Sequence, residues 1–300
     1  MNTATSPNPR PNDRMNILGR SVGRASLERR GVAAKTLVAL VALVAIVTLV
    51  VLSTPARAAT VSSADLQAGD LFRGETYSAV YYLGEDGLRY VFPNSKVFFT
   101  WYDDFEDVKW IADSDLADIQ IGGNVTYKPG IKMVKINSSP RVYAVGAGGM
   151  LRSIVSEAVA RALYGITWNQ KVDDLPDGFF GNYAIGRDID IESQYDPDVE
   201  EADALSINDD KNLRPFSNVS IAQDGYQVPT ITISVGSALR WTNTDTEAHS
   251  VTEWDRVWGS GTLQSGKTYT RYFEEAGTWH YYSKSHGDDR NIFEGAIIVK

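Results

Sequence analysis

The chain has 300 residues, enough for about two globular domains with additional segments. It contains no cysteine, which excludes disulfide bonds, thiolate metal ligands and cysteine nucleophiles. The formal net charge is −9, and because residues 1–58 carry eight basic and two acidic side chains, residues 59–300 have a net charge of about −15. Residues 59–300 should therefore repel nucleic acid, so no nucleic-acid partner is expected.

The first 58 residues have the pattern of an export leader. Residues 1–35 are polar and basic, and we predict a disordered leader because they lack a hydrophobic pattern. Residues 36–58 are predicted to be a signal or transmembrane segment, since residues 36–53 carry no charge and Ala56-Arg57-Ala58 is a cleavage motif. Cleavage after the second alanine would release a secreted protein, whereas an uncleaved apolar run would anchor the chain in the membrane. Both alternatives predict an extracytoplasmic location for the remaining chain.

Residues 71–190 contain an internal repeat with a period of about 62 residues. The motif lies at residues 80–89 in the first copy and at residues 142–152 in the second. Each motif has a hairpin turn signal at its centre, Asp86-Gly87 or Gly148-Gly149. The repeat predicts an α+β tandem-repeat domain, and further matched positions are Trp101-Tyr102 with Leu163-Tyr164, Phe105 with Trp168, and Ile121-Gly122 with Ile185-Gly186.

A short helix is predicted after the hairpin in each copy. In the first copy, Asn94 or Ser95 is expected to cap the helix N-terminus. In the second copy, Ser156 is expected to cap the helix and Gly165 to end it. Between the copies, the apolar pattern of residues 131–136 predicts another strand.

Aromatic side chains are dense in this domain, which allows two interpretations. Exposed rings could stack on sugar faces and form a carbohydrate-binding platform, whereas inward-facing rings would fill a small hydrophobic core. We favour the core because most rings lie at positions with inward periodicity. They are Tyr81, Tyr82, Tyr90, Phe92, Phe98, Phe99, Trp101, Tyr102 and Trp110. The region also resembles repeat modules of exported bacterial proteins of unknown function, a resemblance that implies no activity.

Residues 191–216 are predicted to be an acidic linker. Ten acidic side chains fall between positions 188 and 210, and the apolar residues among them show no periodicity. Carboxylates can bind calcium, but Asp196-Pro197-Asp198-Val199-Glu200 lacks the glycine of a calcium-binding loop. Charge repulsion within the segment therefore favours a solvated linker.

Residues 217–300 have the strand pattern of an all-β domain. Ile231 and Ile233 alternate with polar residues, and glycines separate the predicted strands. With the motifs at residues 239–245 and 295–299, the region resembles the plastocyanin and amicyanin type of cupredoxin over about 80 residues. The resemblance implies an all-β cupredoxin-like Greek-key sandwich.

The same resemblance implies a metal site that retains two of four ligands. Cupredoxins hold copper with two histidines, a cysteine and a methionine. His249 and His286 match the histidine positions, whereas Ser283 occupies the cysteine position and Phe293 the methionine position. A neutral hydroxyl is a poor copper ligand and a phenyl ring cannot coordinate. Blue-copper electron transfer is therefore not expected.

Two alternatives remain for the pair of histidines. With Asp288, Asp289 or Glu294 from the lengthened final loop, they could form a non-blue copper or zinc site. Otherwise they are remnants that are held by hydrogen bonds near the loop end of the sandwich. His280 is not a candidate ligand, because strand alternation turns it away from the face that carries Ser283.

These observations predict an exported or surface-anchored protein that is not an enzyme. No His-Glu-x-x-His zinc-protease motif is present, and the three histidines of the sequence leave few groups for acid–base catalysis. The cupredoxin-like domain is expected to act as a binding or structural module, with no cofactor or, alternatively, with copper at His249 and His286. Its partner would be an unknown extracellular or cell-surface molecule, and contact with a membrane would occur only through residues 36–53.

Overall fold

The computed structural model describes residues 59–286 and 293–300, and Ala59–Lys300 form one structural unit. The predicted leader, residues 1–35, and the predicted signal or anchor, residues 36–58, lie outside the described residues, as do residues 287–292. Within the described ranges, every helix is too short or too polar to cross a membrane.

The first part of the described chain forms a six-stranded sheet with two helices. The strand order is β1-β5-β2-β3-β4-β6. Strands β2, β3 and β4 are antiparallel neighbours, and β5 and β6 add to them in parallel on either side. The elements are β1 (Thr60–Val61), β2 (Leu71–Arg73), β3 (Tyr81–Leu83), β4 (Arg89–Val91), α1 (Ser95–Trp101), β5 (Lys109–Ile111), α2 (Asp113–Asp118) and β6 (Ile121–Asn124).

The next part of the chain forms a five-stranded sheet with one longer helix. Its order is β10-β7-β8-β9-β11, with β7, β8 and β9 antiparallel and β10 and β11 added in parallel. The same connection pattern therefore occurs in β5-β2-β3-β4-β6 of the first sheet. The elements are β7 (Met133–Ile136), β8 (Val142–Gly146), β9 (Met150–Ser153), α3 (Glu157–Tyr164), β10 (Val172–Leu175) and β11 (Ala184–Ile185), with 3₁₀ turns at Trp168–Lys171 and Asp177–Asn182.

Both sheets contribute to one hydrophobic core. Phe98 of α1 and Tyr90 of β4 pack in the same cluster as Val145 of β8 and Leu151 of β9. Of the nine aromatic residues that the core interpretation concerns, four are buried, four are partly buried and Phe99 is 51% exposed. A smaller cluster packs α3 on the second sheet through residues such as Val159.

The helix caps and the helix end that the sequence predicts within residues 71–190 are confirmed. The Asn94 side-chain carbonyl accepts a hydrogen bond from Val97 N at 3.0 Å, so Asn94 rather than Ser95 caps α1. Ser156 Oγ accepts from Val159 N at 3.3 Å at the start of α3. Gly165 ends α3 with φ of 82°, a left-handed conformation that suits glycine.

The acidic segment differs from the solvated linker that its composition predicts. It forms α4 (Pro197–Asp203) and α5 (Ile207–Asp210), and Ile207 is buried in the shared core. Asp210 Oδ1 accepts from Gly148 N at 2.8 Å, and Asn208 Oδ1 accepts from Glu85 N at 3.0 Å. The helix α5 thus binds the hairpin turns of both sheets. Main-chain N–H groups bind the side-chain oxygens, which offsets the repulsion between the acids.

The last part of the chain is a sandwich of two four-stranded sheets. Their orders are β13-β12-β15-β17 and β14-β19-β18-β16. Trp241 of the first sheet and Tyr281 of the second are fully buried between them, with ring centroids 5.3 Å apart. The strands are β12 (Ser217–Ala222), β13 (Gly225–Tyr226), β14 (Thr230–Ile233), β15 (Ser237–Asn243), β16 (Thr252–Glu253), β17 (Thr268–Phe273), β18 (Gly277–Tyr282) and β19 (Glu294–Val299).

The sandwich contacts the six-stranded sheet through its edge strand β17. The Gln120 side chain donates to Thr270 O and accepts from Thr270 N, both at 3.0 Å, so it pairs with the strand as a neighbouring backbone would. Lys267 forms an ion pair with Asp118 at 2.5 Å. This edge is therefore covered by side chains of the same chain, which blocks further strand pairing.

A buried carboxylate lies at the centre of this contact. Asp86 is fully buried, and its Oδ2 accepts from Tyr90 OH at 2.5 Å and from Tyr272 OH at 2.7 Å. Arg240 Nη2 donates to Gly87 O at 2.7 Å and to Asp86 O at 3.2 Å. The hairpin turn of the first sheet is thus bound by two side chains of the sandwich.

Candidate functional site

His249 lies in the loop between β15 and β16, at one end of the sandwich. Its main chain exchanges two hydrogen bonds with Leu263, at 3.0 and 2.8 Å, which fixes the loop against the following segment. The side chain is buried, and Nε2 lies 2.8 Å from Asp245 Oδ2. The imidazole also stacks on the Phe293 ring, with centroids 4.9 Å apart and planes 16° apart. One nitrogen and one face of the imidazole are therefore held by neighbouring side chains.

Asp245 is held in turn by the loop around it. Asn243 Oδ1 accepts from Asp245 N at 3.0 Å, and Asn243 Nδ2 donates to Glu247 O at 2.7 Å and to Leu263 O at 2.9 Å. The hydrogen bond to His249 lowers the pKa of Asp245 below its usual value. The carboxylate therefore stays ionised to a lower pH than usual and orients the imidazole.

Ser283 follows the end of β18 and is buried. Its Oγ accepts a hydrogen bond from Ser250 N at 3.1 Å, while Lys284 N donates to Ser250 Oγ at 2.8 Å. These two bonds join the His249 loop to the final loop. The Ser283 hydroxyl, at the position that the sequence resemblance assigns to the cupredoxin thiolate, therefore has a partner within the protein.

Phe293 begins the return into β19 and has an unusual backbone conformation. Its φ is 86°, in the left-handed region that non-glycine residues seldom adopt. Phe293 O accepts from Ser283 N at 3.1 Å, and the Phe293 ring packs edge-on against Tyr226 at 5.5 Å as well as flat on His249. The packing of the ring on both sides stabilises this strained backbone.

The structure therefore brings together three of the four predicted positions: His249, Ser283 and Phe293. The main chain of His286 lies in a 3₁₀ turn, Lys284–His286, but its side chain is outside the described part of the chain. The possible replacement ligands Asp288 and Asp289 are also outside the described residues.

Glu294 and His280 contact each other at a separate position. His280 Nδ1 lies 3.3 Å from Glu294 Oε1, and its ring lies 4.8 Å from the ring of Trp254. Both side chains are more than a third exposed, at 42% and 37%. Glu294, which the sequence offered as a replacement ligand, is thus paired with a histidine on the other face of β18.

The described donor set does not fit a blue copper centre. Such a centre needs a thiolate, and Ser283 provides a hydrogen-bonded hydroxyl. Phe293, at the position that the resemblance assigns to the axial thioether, has a phenyl ring that cannot coordinate and covers one face of the His249 imidazole. Within residues 59–286 and 293–300, there is no group of three or more side chains that could hold a metal ion.

Sequence reasoning missed two residues of this arrangement, Asp245 and Ser250. Asp245 lies four positions before His249 in a loop, and this spacing could have suggested the pair. Ser250 follows the histidine directly, and its double contact with Ser283 and Lys284 depends on the fold. Sequence alone offered no signal for it.

No protein-family model and no curated protein matches this chain. Solved structures that are similar to it include a purple cupredoxin from Nitrosopumilus maritimus, with 23% identity and a TM-score of 0.26 over 28% of this chain and 99% of that chain. An oxidised amicyanin variant has 25% identity and a TM-score of 0.25 over 28% and 80% of the two chains. A Cu(I) amicyanin variant has 27% identity and a TM-score of 0.24 over the same shares.

Proposed function

We propose that this is an exported or surface-anchored, non-enzymatic protein whose sandwich is a cupredoxin-like binding or structural module without blue copper. The observation that carries this proposal is the pair of internal contacts at the former ligand positions. Ser283 Oγ is bound by Ser250 N, and Phe293 is stacked on His249. At these positions the protein's own groups are hydrogen-bonded or stacked on one another, whereas a copper redox site would need open coordination positions there.

Two features of the fold support the structural part of the proposal. The sandwich binds the first hairpin turn through Arg240 and Tyr272, as a fixed module would. The matching strand orders of β5-β2-β3-β4-β6 and β10-β7-β8-β9-β11 support a tandem repeat in residues 71–190. The two four-stranded sheets packed around Trp241 support a cupredoxin-like sandwich in residues 217–300.

Titration of the purified protein with Cu(II) tests the absence of a blue centre. We expect no intense visible absorption and no EPR signal with the small copper hyperfine splitting of a thiolate site, because the chain has no cysteine. Calorimetry in the same titration measures whether any copper binds. Stoichiometric binding with a blue-site spectrum would contradict the proposal.

A second candidate is a two-histidine copper site at His249 and His286, and one observation favours it. Asp245 holds His249 Nε2 at 2.8 Å, an arrangement that often orients an imidazole for metal binding. A site of this kind would bind Cu(II) with the spectrum of nitrogen and oxygen ligands. Loss of the calorimetric signal in both His249→Ala and His286→Ala would support it, and no binding tighter than about 1 mM would contradict it.

Export is tested separately from metal binding. The mass of the mature protein should begin after Ala58 if the predicted signal is cleaved, whereas an anchored protein would keep residues 36–53 and remain with the membrane fraction. Full-length protein in the cytosolic fraction would contradict both forms of the proposal.

A further inference from the structure

The two halves of the repeat region carry clefts at matching positions. One has a volume of about 510 Å³ and is lined by residues that include Val80, Phe92, Asn94 and Phe105. The other has a volume of about 420 Å³, and its lining residues include those at the matching positions of the second half: Val142, Ile154, Ser156 and Trp168. In each half, the cleft lies between the inner strands of the sheet, the start of the following helix and an aromatic residue of the next loop. Because the lining residues match in position, the two clefts can be compared residue by residue.

An aromatic residue lines both clefts although the sequences around it differ. In the first cleft, Phe105 is 46% exposed and stacks on the buried Phe98, with centroids 4.2 Å apart and planes 24° apart. A ring that served only the core would be buried, as Phe98 is at 1% exposure. Phe105 thus presents a flat apolar surface that is held in place from behind.

The first cleft has neutral polar groups beside this ring. Asn94 uses its carbonyl oxygen to cap α1, and its NH₂ group makes no hydrogen bond within the described chain. Asn124 donates its NH₂ group to Asn182 Oδ1 at 3.0 Å, and its own carbonyl oxygen accepts none there. The cleft therefore offers one amide donor and one amide acceptor. All the residues that line it are uncharged.

The sheet topology argues against a peptide added as an extra strand. The strands β3 and β4 beside the first cleft are paired on both edges, in the order β2-β3-β4-β6. Extended peptides gain affinity from an open strand edge, and none is present at this cleft in the described structure. An occupant must instead use the flat ring, the apolar floor and the two amide groups.

From this combination we infer that the cleft at Phe105 binds a neutral saccharide that carries acetamido groups. One apolar face of a sugar ring stacks on Phe105, and the acetamido methyl group packs on the apolar floor formed by Val80, Val91 and Phe92. The acetamido carbonyl accepts from Asn94, and its N–H donates to Asn124. This inference rests on the proposed non-enzymatic binding role and names its ligand class.

Calorimetry with tetra-N-acetylchitotetraose and the full-length protein tests the inference. We expect saturable binding with a Kd between about 10 μM and 1 mM, and weaker binding of cellotetraose, which lacks the acetamido groups. Phe105→Ala should weaken binding at least about tenfold. Equal binding of the two tetrasaccharides, or an unchanged Kd in Phe105→Ala, would overturn the inference.

Phe99→Ala is the matched control. Phe99 is 51% exposed and packs edge-on against Phe98 and Phe105, with centroids 5.5 and 5.1 Å apart, but it does not line the cleft. Binding should be within about twofold of the wild type in this variant. Equal loss of binding in Phe99→Ala and Phe105→Ala would show that ring packing, rather than sugar contact, is being measured, and would overturn the assignment.

Phe105→Trp keeps the test decisive if Phe105→Ala does not fold. A tryptophan should be accommodated there, since the second half carries Trp168 at the matching position. It should keep binding and show a saccharide-dependent fluorescence change larger than that of the wild type. No change in Phe105→Trp together with no heat in the wild type would overturn the inference.

Mass spectrometry of the recovered saccharide separates the two proposals: a cleaved saccharide would contradict the non-enzymatic role alone, whereas an intact, unbound one would contradict the site alone.

Discussion

Arg240 of the sandwich donates a hydrogen bond of 2.7 Å to the main-chain carbonyl of Gly87, 153 positions earlier in the chain. The Arg240 guanidinium also lies over the Phe216 ring, 3.8 Å from its centroid, and Arg240 Nε donates to Thr270 Oγ1 at 2.9 Å. A hydrogen-bonded arginine between a ring and a hairpin turn is restrained on several sides. The contact between the sandwich and the first sheet therefore depends strongly on this side chain.

Arg240→Ala should lower the free energy of unfolding by about 2–3 kcal/mol, because carbonyl groups at a buried contact lose a charged donor. Urea unfolding measures the change, and limited proteolysis should show earlier cleavage between the sandwich and the rest. Arg187→Ala is the control, since Arg187 is exposed and its side chain forms no hydrogen bond or ion pair within the described residues. Similar stability losses in the two variants would contradict a special role for Arg240.

Asp210→Asn should raise the melting temperature at pH 7. Burial raises the pKa of Asp210 above its usual value, so the folded state favours the protonated form. The penalty of the buried charge is absent below pH 3.8 and appears as the pH rises through the folded pKa. Asparagine keeps an oxygen for Gly148 N and has no charge, so the difference from the wild type should vanish at pH 3.

Asp210→Ala provides the contrast to the asparagine variant. It removes the acceptor of Gly148 N together with the charge, so it should lower stability by about 1–3 kcal/mol at pH 3 and by less at pH 7, where the penalty of the buried charge is also removed. Thermal unfolding at pH 3 and pH 7 measures all three proteins. An asparagine variant that is less stable than the wild type at pH 7 would show that the charge itself stabilises the hairpin turn.

Tyr281→Phe should protect the protein from alkaline unfolding. Burial raises the pKa of Tyr281 to about 12. When the folded pKa of a tyrosine exceeds the unfolded value of about 10, its full contribution to the free energy of unfolding is present below pH 10. This contribution is lost as the pH rises toward 12. The wild type should lose about 2 kcal/mol across this range through Tyr281, and the phenylalanine variant should not.

Urea unfolding at pH 9 and at pH 11 to 12 measures this difference. Tyr77→Phe is the control, because the Tyr77 side chain is 72% exposed. It should follow the wild-type pH profile. A parallel loss of stability in the wild type and in Tyr281→Phe would contradict the role of the buried phenol.

Ser283→Cys should move the site toward a coloured copper–thiolate centre. The buried Ser283 side chain is held by Ser250 N at 3.1 Å, next in sequence to His249, so a thiolate there would be close to an imidazole. Addition of Cu(II) should produce visible absorption from sulfur-to-copper charge transfer. Ser285→Cys introduces the same group at an exposed neighbouring position and should remain without this band. A colourless Ser283→Cys protein would show that Phe293 and the final loop exclude the metal.

Local features of the fold could be predicted where neighbouring residues determine them. Asn94 and Ser156 cap their helices because each side chain reaches a backbone N–H three residues on. The turn signals at Asp86-Gly87 and Gly148-Gly149 each join two observed strands. These interactions span few residues and leave a pattern in the sequence.

The acidic segment could not be predicted in this way. Its composition suggests a chain that repels itself, yet Asp210 binds Gly148 N and Asn208 binds Glu85 N, 62 and 123 positions away. The partners that neutralise this repulsion are backbone groups, which carry no sequence signal. In the candidate site, too, some features have a sequence signal and others depend only on the fold. The positions of His249 and Ser283 followed from a resemblance, but the contact between Ser250 and Ser283 did not.

The position of the Arg240 guanidinium restricts how this chain can change. A Cβ atom added at Gly87 would lie 2.0 Å from Arg240 Nη2, and the backbone there has a φ of 69°. Any side chain at position 87 therefore conflicts with the arginine, and any shortening of the arginine leaves the turn without its donor. In related chains these two positions should covary, so that glycine at the turn accompanies arginine on the strand. In a related chain that has lost either residue, the sandwich would no longer be held to the hairpin turn by this contact. Such a sandwich would be free to move relative to the first sheet, and evolution could replace it with another domain or delete it.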